Sequence, residues 1–213
     1  MNSYKQKVEL WGGIECSINR VNETYQDQCE LLGHYDRVEE DLVSFADLGI
    51  SKLRFPVLWE KHQPEKGAPI DWSFSENGLN QLRNSRITPI VGLVHHGSGP
   101  HNISFFDQSF EKGLASYALQ VAERFPWIEY YTPVNEPLTT ARFCGLYGLW
   151  YPHKADEESF LKVLVSECKG TVMAMQAIRT VNPEAKLVLT EDLGKSHSSE
   201  LLSYQAEFEN HRR

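Results

Sequence analysis

The sequence predicts an α/β protein built on a parallel sheet, and three observations support this class. Short apolar runs rich in valine, isoleucine and leucine alternate with longer segments in which apolar residues recur every three or four positions. A helical segment separates most of these runs, which is the spacing of βαβ units. Polar residues follow the runs directly, and parallel α/β folds place their sites at the carboxyl ends of strands.

The first half of the chain supplies three predicted strands and two predicted helices. In order, these elements are a strand at residues 8–14, a helix at 36–48, a strand at 52–58, a helix at 77–86 and a strand at 88–94. The first helix has one apolar face, and Gly49 follows it where a C-terminal cap belongs. The residues of that face are Val38, Leu42, Phe45 and Leu48. Gly78 weakens the second helix, because glycine lowers helix propensity.

The second half continues the same alternation. Its predicted elements are a helix at residues 106–125, a strand at 128–134, a helix at 157–181, a strand at 185–190 and a mostly polar helix at 198–210. The first of these helices has an apolar stripe that includes Leu114, Ala118 and Val121. Asn182-Pro183 ends the long helix, because proline cannot continue it.

Two architectures fit this order: a doubly wound open sheet and a (β/α)8 barrel. The open sheet would carry a glycine-rich phosphate turn after its first strand, and the segment from Trp11 to Glu15 does not match that pattern. Long polar loops after the second, third and fourth strands favour the barrel. Since a full barrel takes about 250 residues, the prediction is an incomplete (β/α)8 TIM barrel. It comprises the first five βα units, in a single partial TIM-barrel domain at residues 1–213.

The composition restricts the classes of partner. The net charge is −8, so the chain lacks the basic surface that nucleic-acid binding requires. No apolar signal core and no run of about 18 apolar residues is present, so no membrane partner is expected and a cytoplasmic location is the default. The four cysteines lack C-x-x-C spacing, and free thiols are expected.

Asn135-Glu136-Pro137 is the most informative segment for function. It follows an apolar strand, and Pro137 ends the strand ladder because it has no N–H group. A carboxylate is thereby held at the carboxyl end of a parallel strand, with an amide beside it. A solvated glutamate at an ordinary strand end is the alternative interpretation.

Other strand ends carry amides, histidines and aromatic residues, which are the types that bind sugars. The candidate substrate-binding residues are Asn19, Arg54, His95, His96, Asn135, Tyr147 and Trp150. Several of them have open alternatives: Arg54 in a structural salt bridge, His95 and His96 as ordinary core or loop residues, and Tyr147 and Trp150 in a packed hydrophobic lid. No metal is expected at His95, His96 and Glu136, because no H-x-x-x-H or H-E-x-x-H spacing is present, and no cofactor is expected.

Four segments, taken in order, resemble glycoside hydrolase family 1, the β-glucosidase-like (β/α)8 barrels. They are Leu10 to Gly13 (L-W-G-A/G in the family), Leu53 to Trp59 (Y-R-F-S-I-S-W), Pro89 to His96 (P-x-V-T-L-Y-H-W) and Thr132 to Pro137 (T-x-N-E-P). The resemblance implies that Glu136 is the acid/base and that His95 takes the place of a sugar-binding histidine. Asn19 stands where the family has a glutamine, and His96 where it usually has a tryptophan.

The resemblance also implies an incomplete site. The nucleophile of the family is a second glutamate on strand seven, and no residue of this sequence matches it. A glycoside hydrolase-like domain that is inactive alone is therefore expected. Its partners would be a carbohydrate and either a missing C-terminal half or a second copy. Glu191, at the end of the neighbouring predicted strand, is an alternative second carboxylate.

Residues 139–153, 190–195 and 204–210 resemble a narrower group. In bacteria, these family-1-like domains are joined to a sugar-nucleotide (dTDP-4-dehydrorhamnose) reductase-like domain. This resemblance implies an alternative function, a non-catalytic carbohydrate-binding or regulatory domain of a dTDP-rhamnose pathway enzyme.

Overall fold

The computed structural model describes residues 8–192 and 194–212, with the side chain of residue 212 left out. Residues 1–7, Leu193 and Arg213 lie outside the described residues. The predicted domain at residues 1–213 therefore includes positions that are not described, and the 190–195 motif includes one, Leu193. The strands are β1 (Trp11–Gly13), β2 (Ile18–Val21), β3 (Thr24–Asp27), β4 (Lys52–Pro56), β5 (Thr88–His95), β6 (Tyr130–Asn135) and β7 (Lys186–Leu187).

Eight α-helices lie between and after these strands in the described residues. They are α1 (Gln28–Leu31), α2 (His34–Asp47), α3 (Trp59–His62), α4 (Ser73–Asn84), α5 (Ser109–Arg124), α6 (Pro137–Ala141), α7 (Glu157–Val181) and α8 (Ser203–Arg212). A π-helical turn at Arg142–Leu146 follows α6, and a 3-10 turn at Glu200–Leu202 precedes α8.

The main sheet contains five parallel strands in the order β1-β4-β5-β6-β7. The order in space follows the order along the chain, as in a barrel and unlike a doubly wound sheet. The register pairs Gly13 with Arg54 and His95 with Asn135. Because the strands are parallel, their carboxyl ends share one edge of the sheet. The α/β class and the five predicted barrel strands are therefore confirmed.

The two edge strands are shorter than predicted. β1 has three residues and β7 has two, whereas the sequence indicated strands at 8–14 and 185–190. Each pairs with a neighbour on one side only, β1 with β4 and β7 with β6. A strand that lacks a second neighbour has half of its backbone groups unpaired, which favours a short strand.

An antiparallel hairpin of β2 and β3 was not predicted. It follows β1 and pairs Val21 with Thr24 across a two-residue turn. Asn22 has a φ of 56°, the left-handed conformation that asparagine tolerates and that such tight turns require. The strands have only four residues each, which is too short for a periodic pattern to stand out in the sequence.

The core lies between the sheet and its helices. Fully buried side chains on β4 and β5, among them Leu53, Phe55 and Val91, pack against the apolar sides of the helices. Leu48, which was predicted to be the last residue of the apolar face of α2, is 68% exposed. The helix ends at Asp47, so Leu48 occupies the cap position and leaves the helical face. Among the described residues, no helix is both long and apolar enough to cross a membrane.

Gly78 has a packing role that its low helix propensity hides. A Cβ atom added at this position would lie 2.2 Å from Cζ of Phe55, far inside van der Waals contact. Gly78 is buried on α4, and its missing side chain lets the helix approach the ring of Phe55 on β4. The glycine that weakens the predicted helix therefore brings that helix close to the sheet.

Candidate active site

Asn135 is the centre of a polar cluster at the carboxyl ends of β4, β5 and β6. Its side chain is 1% exposed and makes hydrogen bonds on both sides of the amide. Arg54 Nη1 donates to Oδ1, and Thr190 Oγ1 donates to the same oxygen at 2.8 Å. Nδ2 lies 3.1 Å from His95 Nε2 and 3.4 Å from His96 Nε2. The register of β5 and β6 therefore brings together four of the predicted site residues: Arg54, His95, His96 and Asn135.

The orientation of the Asn135 amide follows from its contact with Arg54. A guanidinium group has donors only, so the atom that faces it must be the carbonyl oxygen Oδ1. Nδ2 then faces the two histidines and donates to them. Both Nε2 atoms are acceptors in this arrangement, which fixes the tautomer of each neutral imidazole with its proton on Nδ1.

The other ring nitrogens have partners that suit this tautomer. His95 Nδ1 lies 3.1 Å from the sulfur of Cys16, and His96 Nδ1 lies 3.0 Å from Thr140 Oγ1. Burial lowers the pKa of His95 to about 3, and the charges of His96 and Arg54 add to the effect. Burial also lowers the pKa of His96. Both imidazoles are therefore neutral hydrogen-bonding groups at neutral pH.

Glu136 follows β6 and stands at the N-cap position of α6. Its φ of 47° places it in the left-handed region, which costs backbone energy for a residue other than glycine. Its Oε2 atom lies 3.8 Å from His96 Nε2, and 28% of its side chain is exposed. The residue is thus turned toward the histidines and also accessible to a ligand.

Arg54 has no carboxylate partner within residues 8–192 and 194–212. Its hydrogen bond goes to Asn135, and its Nε atom is buried without a partner. The structural salt bridge considered from the sequence is therefore not formed in the described part of the chain. A cation that is partly withdrawn from water favours a nearby anion, because burial of an unpaired charge is costly.

Glu191 is occupied by the backbone near the start of α6. Its Oε2 accepts a hydrogen bond from the Leu138 N–H at 2.9 Å, and its Oε1 accepts one from the Asp192 N–H at 3.1 Å. These bonds hold the connection that follows β7 against α6. They favour a structural role over that of a second reacting carboxylate.

Glu15 is a further carboxylate at this edge that the list of candidate residues omitted. Oε1 lies 3.7 Å from His95 Nε2 and accepts hydrogen bonds from the hydroxyl and the N–H of Ser17. Burial raises its pKa, but the Ser17 hydrogen bonds and the charges of His95 and His96 together lower it below the usual value. The strand-end rule would have found it, because it follows β1.

The loop after α6 brings one aromatic residue of the candidate set next to the cluster. The ring of Trp150 stacks on Phe143 with centroids 4.5 Å apart, and it lies 5.4 Å from His96. Tyr147 contacts Phe143 edge-on at 5.7 Å and is 44% exposed, so it lies one ring further from the histidines. An aromatic wall therefore stands beside His96.

Asn19 lies apart from this hydrogen-bonded cluster. It is a buried residue of β2, opposite Gln26, and its side chain makes no hydrogen bond to a described residue. Sequence reasoning also missed Cys16, Thr140 and Thr190, which complete the cluster. Within the described ranges, no group of three or more histidine, cysteine, aspartate or glutamate residues is arranged to hold a metal ion.

These features define a class. Five parallel strands in sequential order, with polar side chains gathered at their carboxyl ends, form part of a TIM barrel with its candidate site at the top. Comparison with a family model assigns the chain to one family within this class. Glycosyl hydrolase family 1 matches residues 15–202, and the chain belongs to this family.

The curated relatives are bacterial glucosidases. The chain is 22% identical to the aryl-phospho-beta-D-glucosidase BglC of Bacillus subtilis over 163 residues, which are 72% of this chain and 34% of the relative. It is 21% identical to a 6-phospho-beta-glucosidase of Clostridium longisporum over 186 residues, 76% of this chain and 37% of the relative. The chain thus spans little more than a third of the length of these relatives.

Solved structures support the same fold. A beta-glucosidase from Thermotoga maritima in complex with castanospermine superposes with a TM-score of 0.75 at 19% identity, over 94% of this chain and 52% of that chain. The AHE enzyme from Alicyclobacillus herbarius gives 0.71 at 24% identity, over 83% of this chain and 42% of that one. The five strands therefore correspond to part of the barrel of these enzymes.

Proposed function

We propose that this chain is a glycoside hydrolase domain that acts on a carbohydrate and uses Glu136 as its acid/base residue. One observation carries the proposal: Glu136 follows Asn135 at the carboxyl end of β6 and lies near the imidazole of His96, whose ring contacts Trp150. The names of the curated relatives and solved neighbours, which are glucosidases, favour a β-glucoside as the substrate class.

In this proposal Glu136 protonates the glycosidic oxygen as the bond breaks and later activates water, as an acid/base residue does in a retaining enzyme. Asn135 would bind the 2-hydroxyl of the sugar. Its Nδ2 already faces two imidazoles, so a sugar oxygen would replace the longer contact, the 3.4 Å one to His96. The rigid set of partners around Asn135 would hold the amide ready for that bond.

A retaining mechanism needs a second carboxylate about 5–5.5 Å from the first. Arg54 favours an anion at this position because its guanidinium has no described carboxylate partner and its Nε is unsatisfied. We propose that the nucleophile is a carboxylate from the strands that complete the barrel, and that it docks against Arg54. The five units alone would then not turn over substrate.

The test is hydrolysis of an aryl β-glucoside by the chain alone and by the chain supplied with the remaining strands of a family barrel. We expect no turnover alone and measurable turnover after completion. Glu136→Gln should then lower kcat by about 10²–10⁴-fold, because it removes the proton donor. Glu191→Gln, the matched control, should change kcat by less than about tenfold. Turnover that Glu136→Gln leaves unchanged would remove Glu136 from the mechanism.

The second candidate is a carbohydrate-binding or regulatory domain of a sugar-nucleotide enzyme. The observation that favours it is the absence of any carboxylate paired with Arg54 in the part of the chain that the structure describes. Calorimetry separates the two functions. Binding of a glycoside or a sugar nucleotide, without turnover even after completion of the barrel, supports the binding domain.

The open edges of the sheet support a partner that completes the barrel. β1 and β7 each pair on one side only, and apolar side chains at these edges are exposed, among them Trp11 and Leu189. Such an edge pairs readily with another strand. We therefore expect the isolated chain to form oligomers in light scattering. A monodisperse monomer that unfolds cooperatively would contradict this expectation.

A further inference from the structure

The side chains of His96 and Glu136 lie close together, and their contact becomes favourable only when a proton lies between them. The Nε2 atom of His96 and the Oε2 atom of Glu136 are 3.8 Å apart, which is within ion-pair range but longer than a hydrogen bond. The Glu136 side chain is partly exposed, so a rotation of its carboxyl group can close the distance. Both residues have left-handed backbones, with φ of 56° and 47°, so the fold imposes a costly conformation at each of them.

The hydrogen bonds around His96 determine what this contact can be. Nδ1 faces the hydroxyl of Thr140 at 3.0 Å and carries the proton of the neutral ring, so Nε2 presents a lone pair. An ionised Glu136 also presents lone pairs, and the two acceptors repel each other. The contact becomes favourable when exactly one further proton lies between Nε2 and Oε2.

We propose that His96 is a positioning residue that shares one proton with Glu136 and thereby sets the fraction of Glu136 that is ready to act as an acid. The proton moves from Glu136 Oε2 to His96 Nε2, so that a carboxylic acid and a neutral imidazole become a carboxylate and an imidazolium. No other bond changes. The 3.4 Å hydrogen bond from Asn135 Nδ2 is lost when Nε2 is protonated, and it is the longest hydrogen bond around Asn135 and the two histidines.

The surrounding charges favour a proton at this place. Three carboxylates raise the pKa of His96 through their charges: Glu136 after β6, Glu15 after β1 and Glu191 after β7. Arg54 on β4 and the ring of His95, 4.9 Å away, oppose a second positive charge, and burial also opposes it. Glu136 is the only one of the three carboxylates within ion-pair distance of His96 in the described residues, so the exchange is specific to this pair.

The part of this proposal that concerns catalysis rests on the proposed function, but the proton sharing is a property of the chain alone. NMR of the full chain with ¹³C- and ¹⁵N-labelled histidine follows the His96 ring from pH 4 to 9, and the spectrum of His96→Gln assigns its signals. We expect the neutral ring to carry its proton on Nδ1. Glu136→Gln should lower the His96 pKa by about one unit or more, because it removes the adjacent negative charge.

Glu15→Gln is the matched control. It removes a carboxylate that also acts on His96 but lies next to His95, and its effect on the His96 pKa should be less than half as large. Equal effects of the two variants, no effect of Glu136→Gln, or a neutral ring protonated on Nε2 would each overturn the proposal. If Glu136→Gln does not fold, Glu136→Asp gives a second measurement: its shorter side chain moves the carboxylate away from Nε2, so the His96 pKa should again fall.

Activity provides a separate readout. In the completed enzyme, His96→Gln should shift the acidic or basic limb of the pH–rate profile while the fold, by circular dichroism, stays the same. If the chain shows the NMR coupling but the completed barrel gives no hydrolysis, the proposed function is refuted and the proton sharing stands. If the completed barrel hydrolyses the substrate but Glu136→Gln leaves the His96 titration unshifted, the proton sharing is refuted and the proposed function stands.

Discussion

Replacing Asn135 by leucine is expected to lower the free energy of unfolding by about 3–5 kcal/mol, the cost of breaking a buried charged network by removing one partner. Leucine has a similar volume but leaves the Arg54 guanidinium without its described hydrogen-bond acceptor. It also removes the donor that faces His95 Nε2 and the acceptor of the Thr190 hydroxyl. Urea unfolding monitored by circular dichroism measures the loss.

Asn135→Asp is the control that separates charge from shape. The aspartate keeps Oδ1 as the acceptor for both Arg54 and Thr190 and adds a negative charge beside the guanidinium, so the loss should be less than half of that for leucine. Its second oxygen faces His95 and His96, however, and it cannot donate to them. Each ring must then carry a proton on Nε2 to bond with this oxygen, and the pKa of each histidine in the folded state is therefore raised.

The sign of the pH dependence follows from linkage. In the wild type, the folded-state pKa of His95 is about 3, far below the unfolded value of about 6.5, so this residue destabilises the fold in acid. A higher folded-state pKa lessens that loss, so Asn135→Asp should gain stability relative to the wild type as the pH falls through the histidine pKa of the folded variant toward about 3. A leucine variant within about 1 kcal/mol of the wild type would show that Arg54 does not depend on Asn135.

The strand-end rule explains why much of this site was predictable from the sequence. His95 and Asn135 are each the last residue of a parallel strand, and the register places them opposite each other. Their meeting thus follows once the strands are assigned correctly. Glu136 follows by one residue, and the proline after it marks the strand end. Position along a strand is a local property, and the sequence encodes it directly.

The remaining partners could not be predicted, because their contacts depend on side-chain directions across the fold. Cys16 and Thr140 are 79 and 44 positions from the histidines that they contact. No local pattern distinguishes them from other small polar residues. The packing role of Gly78 is hidden for the same reason, since the sequence shows only its poor helix propensity and not the ring of Phe55.

Glu60 also lies beyond the carboxyl end of a strand, β4, but its role is structural. It is a buried residue of α3, and its Oε1 accepts a hydrogen bond from the Gly99 N–H at 2.8 Å. A Cβ atom at Gly97 would lie 2.0 Å from that oxygen, so the chain after His96 packs directly on the carboxyl group. Oε2 has no partner, and burial raises the pKa of Glu60 to about 7.

Glu60→Gln is therefore expected to stabilise the protein at alkaline pH and to have little effect at acidic pH. The folded-state pKa is raised, so the contribution of Glu60 to stability is fully present below the unfolded value of about 4.5 and is lost as the pH rises through about 7. The difference between the folded-state and unfolded-state pKa values corresponds to a loss of about 3 kcal/mol in the free energy of unfolding above pH 8. Glutamine keeps the acceptor for Gly99 and carries no charge, so the variant does not pay this penalty.

The measurement is the difference in unfolding free energy between wild type and variant at pH 5 and pH 9. His62 has its pKa lowered to about 4 by burial and so destabilises the fold in acid, but it does so equally in both proteins and cancels in the difference. Glu123→Gln, on the exposed side of α5, controls for the loss of a surface carboxylate. A difference that stays flat from pH 5 to pH 9 would mean that the carboxylate is satisfied by water, because a solvated group keeps the same pKa in the folded and unfolded chains.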